Sequence, residues 1–257
     1  MELKEREKIR YLAEAIQKSK NVVFLTGAGI SVPSGIPDFR SPNGLYAKYG
    51  QEIFDIEHFH AFPDKFYAFA KEGLITMLDC QPNPVHKLIA ELEERGYVKG
   101  VITQNIDGLH QKAGSRKVAE LHGNARMWHC LKCSKRFDIT DNTQREELLK
   151  NNFRCSCGGL TKPDIVFFGE ILPIDEWAKA EKWATTCDVF VTVGTSLFVY
   201  PASTLPLIAY EKGAFVAIIN KGPTGLDKLA QYPNLKIEID VLEFARLFKD
   251  SMNVQRL

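Results

Sequence analysis

Short, unbroken apolar runs punctuate this chain at Val22-Val23-Phe24-Leu25, Val101-Ile102-Thr103, Ile165-Val166-Phe167-Phe168, Val189 to Val193, Phe215 to Ile219 and Leu235 to Ile239. Runs without polar alternation predict strands buried on both faces, as in a parallel sheet. Between most of them the apolar positions recur at helical spacing. Helices are predicted from Pro84 to Arg95 with proline in the first turn, from Asp175 to Thr186, near Leu205 to Lys212, and from Val241 to Lys249 behind the cap Asp240. Ahead of the first strand, Ile9, Leu12, Ala13 and Ile16 share one face, which predicts an amphipathic helix packed on the body of the fold.

Alternating strands and helices predict an α/β fold, a Rossmann-like parallel sheet with helices on both faces. Two segments break the alternation. Ser41 to Asp79 is rich in Phe and Tyr, and Arg126 to Lys162 holds the pairs Cys130/Cys133 and Cys155/Cys157. With 45% hydrophobic and 25% charged residues over 257 positions, the chain has the material for one large globular unit with a small insertion. A formal charge of +1 gives no global positive excess to attract nucleic acid or an anionic membrane. No run of about 18 apolar residues is present to span a bilayer, and the charge-rich segment Met1 to Lys20 lacks the apolar core of a secretory signal, so a cytoplasmic location is expected. In a reducing compartment the tight cysteine pairs point to metal more than to disulfides, while Cys80 and Cys187 read as ordinary buried thiols. The expected organisation is a large domain from residues 1–40, 80–125 and 164–257, and a small domain from a helical insertion, 41–79, and a zinc ribbon, 126–163. The cleft between them is the natural site.

The first strand opens into Gly27-Ala28-Gly29-Ile30-Ser31-Val32, which begins like the dinucleotide fingerprint G-x-G-x-x-G but has Val32 in place of the third glycine. Two glycines allow a tight turn and let backbone N–H groups approach a pyrophosphate; the third, which lets a helix pack closely on its strand, is missing. By itself the pattern equally describes a plain turn. Pro33 to Arg40 then forms a stiff, irregular loop in which Arg40 suits a phosphate and Phe39 a flat ring, although a lone arginine of this kind is also an ordinary solvated side chain. Gln104, Asn105 and Asp107 stand at the end of the strand Val101-Ile102-Thr103, where open parallel sheets bind ligands. Their amide and carboxylate groups suit ribose hydroxyls or a carboxamide, and Asn105 or Asp107 would equally cap the next helix. His122 is the candidate general base, a role worth about 10²–10⁴ in rate. On residue type alone His58, His60, His86, His110 and His129 compete with it.

In order along the chain stand Gly27-Ala28-Gly29-Ile30-Ser31, Gly35-Ile36-Pro37-Asp38-Phe39-Arg40-Ser41, Thr103-Gln104-Asn105-Ile106-Asp107, Leu121-His122-Gly123, Phe168-Gly169-Glu170 and Gly194-Thr195-Ser196. With these motifs the chain resembles the sirtuins from about Ile16 to Phe248. The resemblance implies NAD as co-substrate. It implies Ala28, Gly29, Phe39, Arg40 and Gln104 as contacts to the phosphates, ribose and nicotinamide end, and Asn105, Ile106 and Asp107 as the nicotinamide pocket. His122 would be the general base, with Asn105 and Asp107 beside it in the catalytic set, and Thr195, Ser196, Asn220 and Val241 would meet the adenosine side. Val166, Phe167, Phe168 and Gly169 would hold an acetyl-lysine peptide as an added strand. In the implied reaction the substrate amide oxygen attacks the anomeric carbon of the ribose as nicotinamide leaves, and His122 takes a proton from the ribose hydroxyl relay. The acyl group passes to ADP-ribose and no hydride moves.

Cys130-x-x-Cys133 and Cys155-x-Cys157 would close a tetrahedral shell around one structural zinc, leaving no position for water. The second pair has one intervening residue where the family more often has two, and Gly158-Gly159 would relax the turn. Members that favour acidic acyl groups carry Tyr-x-x-Arg; here Tyr67 is followed by Ala70, so acetyl or a neutral aliphatic acyl group is expected. The alternative reading of the same NAD site is a protein mono-ADP-ribosyltransferase. A hydride-transferring dehydrogenase is disfavoured by Val32 and by the missing acid expected about twenty residues on. A nucleic-acid module is disfavoured because Lys132, Lys135 and Arg136 on the ribbon have no aromatic-interleaved stripe beside them.

Overall fold

Ile9, Leu12, Ala13 and Ile16 are fully buried along helix α1 (Glu5–Lys18) in the computed structural model, which describes residues 4–231 and 233–254. The described strands are β1 (Val22–Thr26), β2 (Val98–Thr103), β3 (Val118–Glu120), β4 (Gly123–Cys130), β5 (Arg136–Asp138), β6 (Thr161–Ile165), β7 (Val189–Val193), β8 (Phe215–Ile219) and β9 (Leu235–Ile237). Six of them form one sheet in the order β3-β2-β1-β7-β8-β9, with every neighbouring pair parallel. All five residues of β1 and of β7 are buried, which is why neither strand shows polar alternation.

After α1, the aromatic segment folds into α2 (Leu45–Tyr49), α3 (Ile56–Ala61), α4 (Pro63–Phe69) and α5 (Ile75–Asp79). Then come α6 (Pro84–Glu94), α7 (Leu109–Ala113), α8 (Asn142–Lys150), α9 (Ile174–Thr186), α10 (Leu205–Glu211) and α11 (Val241–Val254). Helices α1, α6 and α11 cover one face of the large sheet around Phe24, Leu88, Phe244 and Phe248; α9 and α10 cover the other around Phe190, Ala184 and Leu205. Asp240 caps α11 as expected, its Oδ1 accepting the Leu242 N–H at 2.9 Å. Among the described residues no helix is long and apolar enough to cross a membrane.

Ile165-Val166-Phe167-Phe168 departs from its expected place in the parallel series. β6 ends at Ile165 and pairs antiparallel with β4 in a separate three-stranded sheet, β5-β4-β6, and Val166 to Phe168 continue outside any strand. An apolar run reports burial, and here an aromatic cluster supplies it: Phe167 packs edge-on against Phe54 and Phe59. The same cluster includes Phe66, Phe69, Phe137, Phe153 and Trp128, with Phe153 and Trp128 stacked at 5.0 Å, and so joins the helical insertion to the cysteine-bearing ribbon. Cys187 is buried as expected, but Cys80 is only half-buried. The edge strand β3 escaped prediction because only Ala119 of its three residues is buried.

Val32 also finds its explanation. No α-helix comes directly after the glycine turn; two short 3-10 turns, Ala28–Ile30 and Val32–Ser34, carry the chain away, and Val32 is 46% exposed. Without a helix to press against β1, the third glycine has no packing task. The segment expected to be stiff and non-helical therefore does contain one such turn at its start.

Candidate active site

From β1 the chain moves to β2 on one side of the sheet, while β7 lies on the other, so the loops leaving β1 and β7 diverge at the carboxyl ends of their strands. Their first turns nevertheless touch. A Cβ on Gly27 would stand 2.7 Å from Thr195 Cβ, one on Gly29 would stand 2.8 Å from the Gly194 carbonyl oxygen, and Gly194 itself has φ 62°. Side chains at these positions would force the loops apart.

A cavity of about 1250 Å³ opens above the turns, larger than the roughly 300–1,000 Å³ of most small-molecule sites. Its walls include Ala28, Gly29, Phe39, Arg40, Gln104, Asn105, Ile106, His122, Val166, Phe167, Phe168, Gly169, Thr195, Ser196 and Asn220. The structure thus brings together most of the residues singled out from sequence. Asp107 lines a second cavity of about 310 Å³, which shares Ala28, Phe39, Phe54, Asn105 and Ile106 with the first. Val241 lines neither; it opens α11 and is buried in the core beneath the sheet. Tyr67 and Ala70 also line neither cavity: the Tyr67 hydroxyl donates to the Thr161 carbonyl at 2.8 Å and Ala70 is fully buried. The acyl preference expected from that pair rests on the missing guanidinium at position 70 and not on a contact of either side chain.

Hydrogen bonds set the side chains rigidly. Asn105 donates through Nδ2 to the Gly27 carbonyl and to Ser31 Oγ, both at 3.1 Å, which leaves its Oδ1 as the free acceptor. Ser31 Oγ in turn donates to Asp107 Oδ2 at 2.7 Å, and Asp107 Oδ1 accepts the Leu109 N–H at 2.9 Å. Asp107 therefore holds the first N–H of α7, whose N-cap position is Gly108, and also lines a cavity. Burial pushes its carboxyl above the usual carboxylate range, opposed by the bonds from Leu109 and Ser31. Gln104 Nε2 donates to Thr195 Oγ1 at 2.9 Å, tying the end of β2 to the loop after β7, and Arg40 Nη1 approaches Ser196 Oγ at 3.5 Å. The motif Gly27 to Ser31 contained Ser31, but nothing in the sequence showed that it bridges Asn105 and Asp107.

His122 sits between β3 and β4, and its Nδ1 lies 2.9 Å from the Gln104 carbonyl oxygen. A carbonyl only accepts, so Nδ1 carries the hydrogen and Nε2 holds the free lone pair. Burial lowers the imidazole from its ordinary 6.5; the Gln104 bond opposes that shift and Arg40 adds to it. The competing histidines are placed elsewhere: His86 and His110 are buried against each other, with burial holding them at about 4 and about 3, and His129 pairs with Asp164. Protonation removes the Nε2 lone pair, so any step that draws on it as a base should fail on the acid side, with a kcat/KM midpoint below 6.5. A pH–rate profile reads this directly, and an acid limb centred above 6.5 contradicts the assignment.

The four cysteines of the ribbon meet at one point. All four Sγ atoms lie within 4.8 Å of one another, with Cys130–Cys157 at 3.5 Å and Cys133–Cys155 at 3.7 Å. A tetrahedral ion with Zn–S bonds of about 2.3 Å needs sulfur separations of about 3.8 Å, so the thiols fit zinc. The shorter second pair reaches because Gly158 turns at φ 78°, and because Gly159 leaves room that a Cβ would take, 2.7 Å from Cys130 Sγ.

Beyond the expected set, Ile171, Ile174 and Tyr200 line the mouth of the large cavity while 85%, 77% and 80% exposed. Ile171 and Tyr200 lie in loops and Ile174 opens α9, and the exposure of such apolar residues is not registered by periodicity.

Comparison with known proteins agrees with this geometry. The family model described as the Sir2 family matches residues 27–201. An NAD-dependent protein deacetylase of Thermotoga maritima is 47% identical over 239 residues, covering 93% of this chain and 96% of that protein. A solved structure of Sir2 with p53 peptide and NAD⁺ superposes with a TM-score of 0.87 at 43% identity, covering 98% of this chain and 100% of the other. A second, Sir2 with an inhibitor, 2'-O-acetyl-ADP-ribose and deacetylated p53 peptide, has a TM-score of 0.84 at 43% identity and covers 95% and 98%.

Proposed function

Because this chain belongs to the Sir2 family, its reaction is NAD-dependent protein deacetylation, and we propose that His122 is the base, Asn105 and Asp107 the groups around the leaving nicotinamide, and Val166 to Gly169 the peptide edge. The observation that carries the assignment is the Gln104 carbonyl fixing His122 Nδ1, so that the basic Nε2 is left for a cavity that Asn105 also lines. NAD supplies an electrophilic ribose carbon, a leaving nicotinamide and the ribose hydroxyl that ends with the acyl group. Asn105 offers Oδ1 as an acceptor held by two donated bonds, and Asp107 accepts from Ser31 and Leu109 in the adjoining cavity. Neutral His122 takes the proton that frees a hydroxyl oxygen to attack. Ala28, Gly29, Phe39, Arg40, Gln104 and Ile106 are assigned to the phosphate and nicotinamide end, and Thr195, Ser196 and Asn220 to the adenosine end. Val241, in the core, is assigned a backbone contact only. No observation favours ADP-ribosyl transfer to protein.

The same proposal divides the chain into a sheet domain of residues 1–40, 80–125 and 164–257 and a small domain of 41–79 and 126–163. It is supported by separate apolar clusters on the large sheet and around Trp128; residues 1–3, 232 and 255–257 lie outside the described ones. The four-thiol site suits a reducing compartment, and the cytoplasm is proposed as the location. Aromatic walls at Phe39, Phe54 and Phe167 suit a neutral acyl chain. Mass spectrometry of an acetyl-lysine peptide incubated with and without NAD tests the function. Loss of acetyl with matching nicotinamide release is expected only with NAD, whereas ADP-ribose attached to peptide or enzyme with acetyl retained would put the transferase in its place.

A further inference from the structure

Lys162, on β6, is a lysine whose side chain is only 4% exposed. Its ammonium has three N–H donors, and three acceptors meet them: Glu170 Oε2 at 2.8 Å, the Ile165 carbonyl at 2.6 Å and the Pro163 carbonyl at 3.3 Å. The ring of Phe167 lies 4.2 Å from Nζ. Glu170 Oε2 also accepts the Phe167 N–H at 2.7 Å, and the Glu170 N–H returns to the Phe167 carbonyl at 3.0 Å. One buried charge thus holds both ends of the loop from Ile165 to Glu170.

The rest of that loop is equally constrained. Val166 N–H donates to the His122 carbonyl at 3.0 Å, Phe168 N–H to the Phe54 carbonyl at 2.7 Å, and the Phe168 carbonyl accepts from Ile56 at 3.1 Å. Among the described residues this leaves the Val166 carbonyl and the N–H and carbonyl of Gly169 without a hydrogen bond, and both residues line the large cavity. Unpaired backbone groups held at a fixed spacing are what an added strand requires. Lys162 is buried and Glu170 half-buried, and such a pair adds little net stability over apolar side chains of similar volume, which turns attention to the geometry it imposes.

We propose that Lys162 is a positioning residue for peptide binding: paired with Glu170 beneath the Val166–Gly169 loop, it holds the backbone edge against which the acyl-lysine peptide lies. The inference rests on the deacetylase reading above and adds to it the group that shapes the peptide subsite. Removing the charge should loosen the edge while leaving His122 and the NAD walls in place. In the full-length protein, Lys162→Met is expected to raise KM for an acetyl-lysine peptide about tenfold or more, with kcat within about threefold and KM for NAD within about twofold of the parent. A peptide KM within about twofold of the parent, or KM values for peptide and NAD that rise together, overturns the proposal. Should Lys162→Met fail to fold, Glu170→Gln keeps an acceptor for the Phe167 N–H but removes the counter-charge; a selective rise in peptide KM supports the inference and an unchanged one overturns it. A parent enzyme that leaves the peptide acetylated sinks the functional reading itself, whereas an active parent with indifferent variants sinks only the role of Lys162.

Discussion

His122→Ala should lower kcat for deacetylation by about 10²–10⁴-fold, the usual worth of a positioned general base, while NAD still binds. The loss falls on kcat because, among the described residues, alanine removes the only imidazole that lines the large cavity, and none of the other histidines is placed to replace it. Binding survives because the glycine turns, the Gln104 side chain and Thr195 are held by contacts that do not involve the imidazole. The Gln104 carbonyl loses its partner, a stability cost of about 1 kcal/mol that leaves the fold standing. Single-turnover mass spectrometry beside calorimetric titration of NAD separates the two effects. Turnover close to that of the parent would remove His122 from the mechanism.

Cys155→Ser should empty the zinc site and abolish deacetylation although Cys155 touches neither cavity. A structural zinc held by four thiolates contributes on the order of 10–16 kcal/mol of apparent binding energy to folding of its module. That module shares an aromatic cluster with Phe54 and Phe167, which also line the large cavity, so losing the ion should disorder one wall of the site. Zinc content by plasma mass spectrometry should fall from one ion per chain to near none, with loss of near-ultraviolet circular dichroism from Trp128 and its neighbours. A zinc-free variant with parental activity and an unaltered aromatic signal would show that the ribbon folds without metal.

Much of this molecule is legible in its residue order. Unalternated apolar runs announced β1, β7 and β8 because strands covered on both faces have no wet side to encode. Gly27, Gly29 and Gly194 marked the place where two loops meet without room for a Cβ, and the cysteine spacing announced the ribbon. Less legible were features that depend on partners distant in the chain. The run from Ile165 to Phe168 looked like one more buried strand, because hydrophobicity reports that a residue is covered and not by what. Val32 looked like a defect in a fingerprint until the absence of a helix behind the turn removed the need for glycine. Nor did the sequence show that the Tyr67 hydroxyl bonds the Thr161 backbone.

Residue types and their local order were enough to determine the α/β class, the turns at the strand ends and the paired thiols, and the resemblance to the sirtuins added the candidate side chains for the chemistry. Those properties are set within a few residues by conformational preference, periodicity and donor chemistry. The tertiary structure alone decided which nitrogen of His122 keeps its lone pair, that Asp107 faces a cavity adjoining the main one, and that Lys162 and Glu170 pair beneath the loop from Ile165 to Glu170. These depend on burial and on hydrogen bonds between positions far apart in the chain, and neither is fixed until the two sheets and the aromatic cluster have packed.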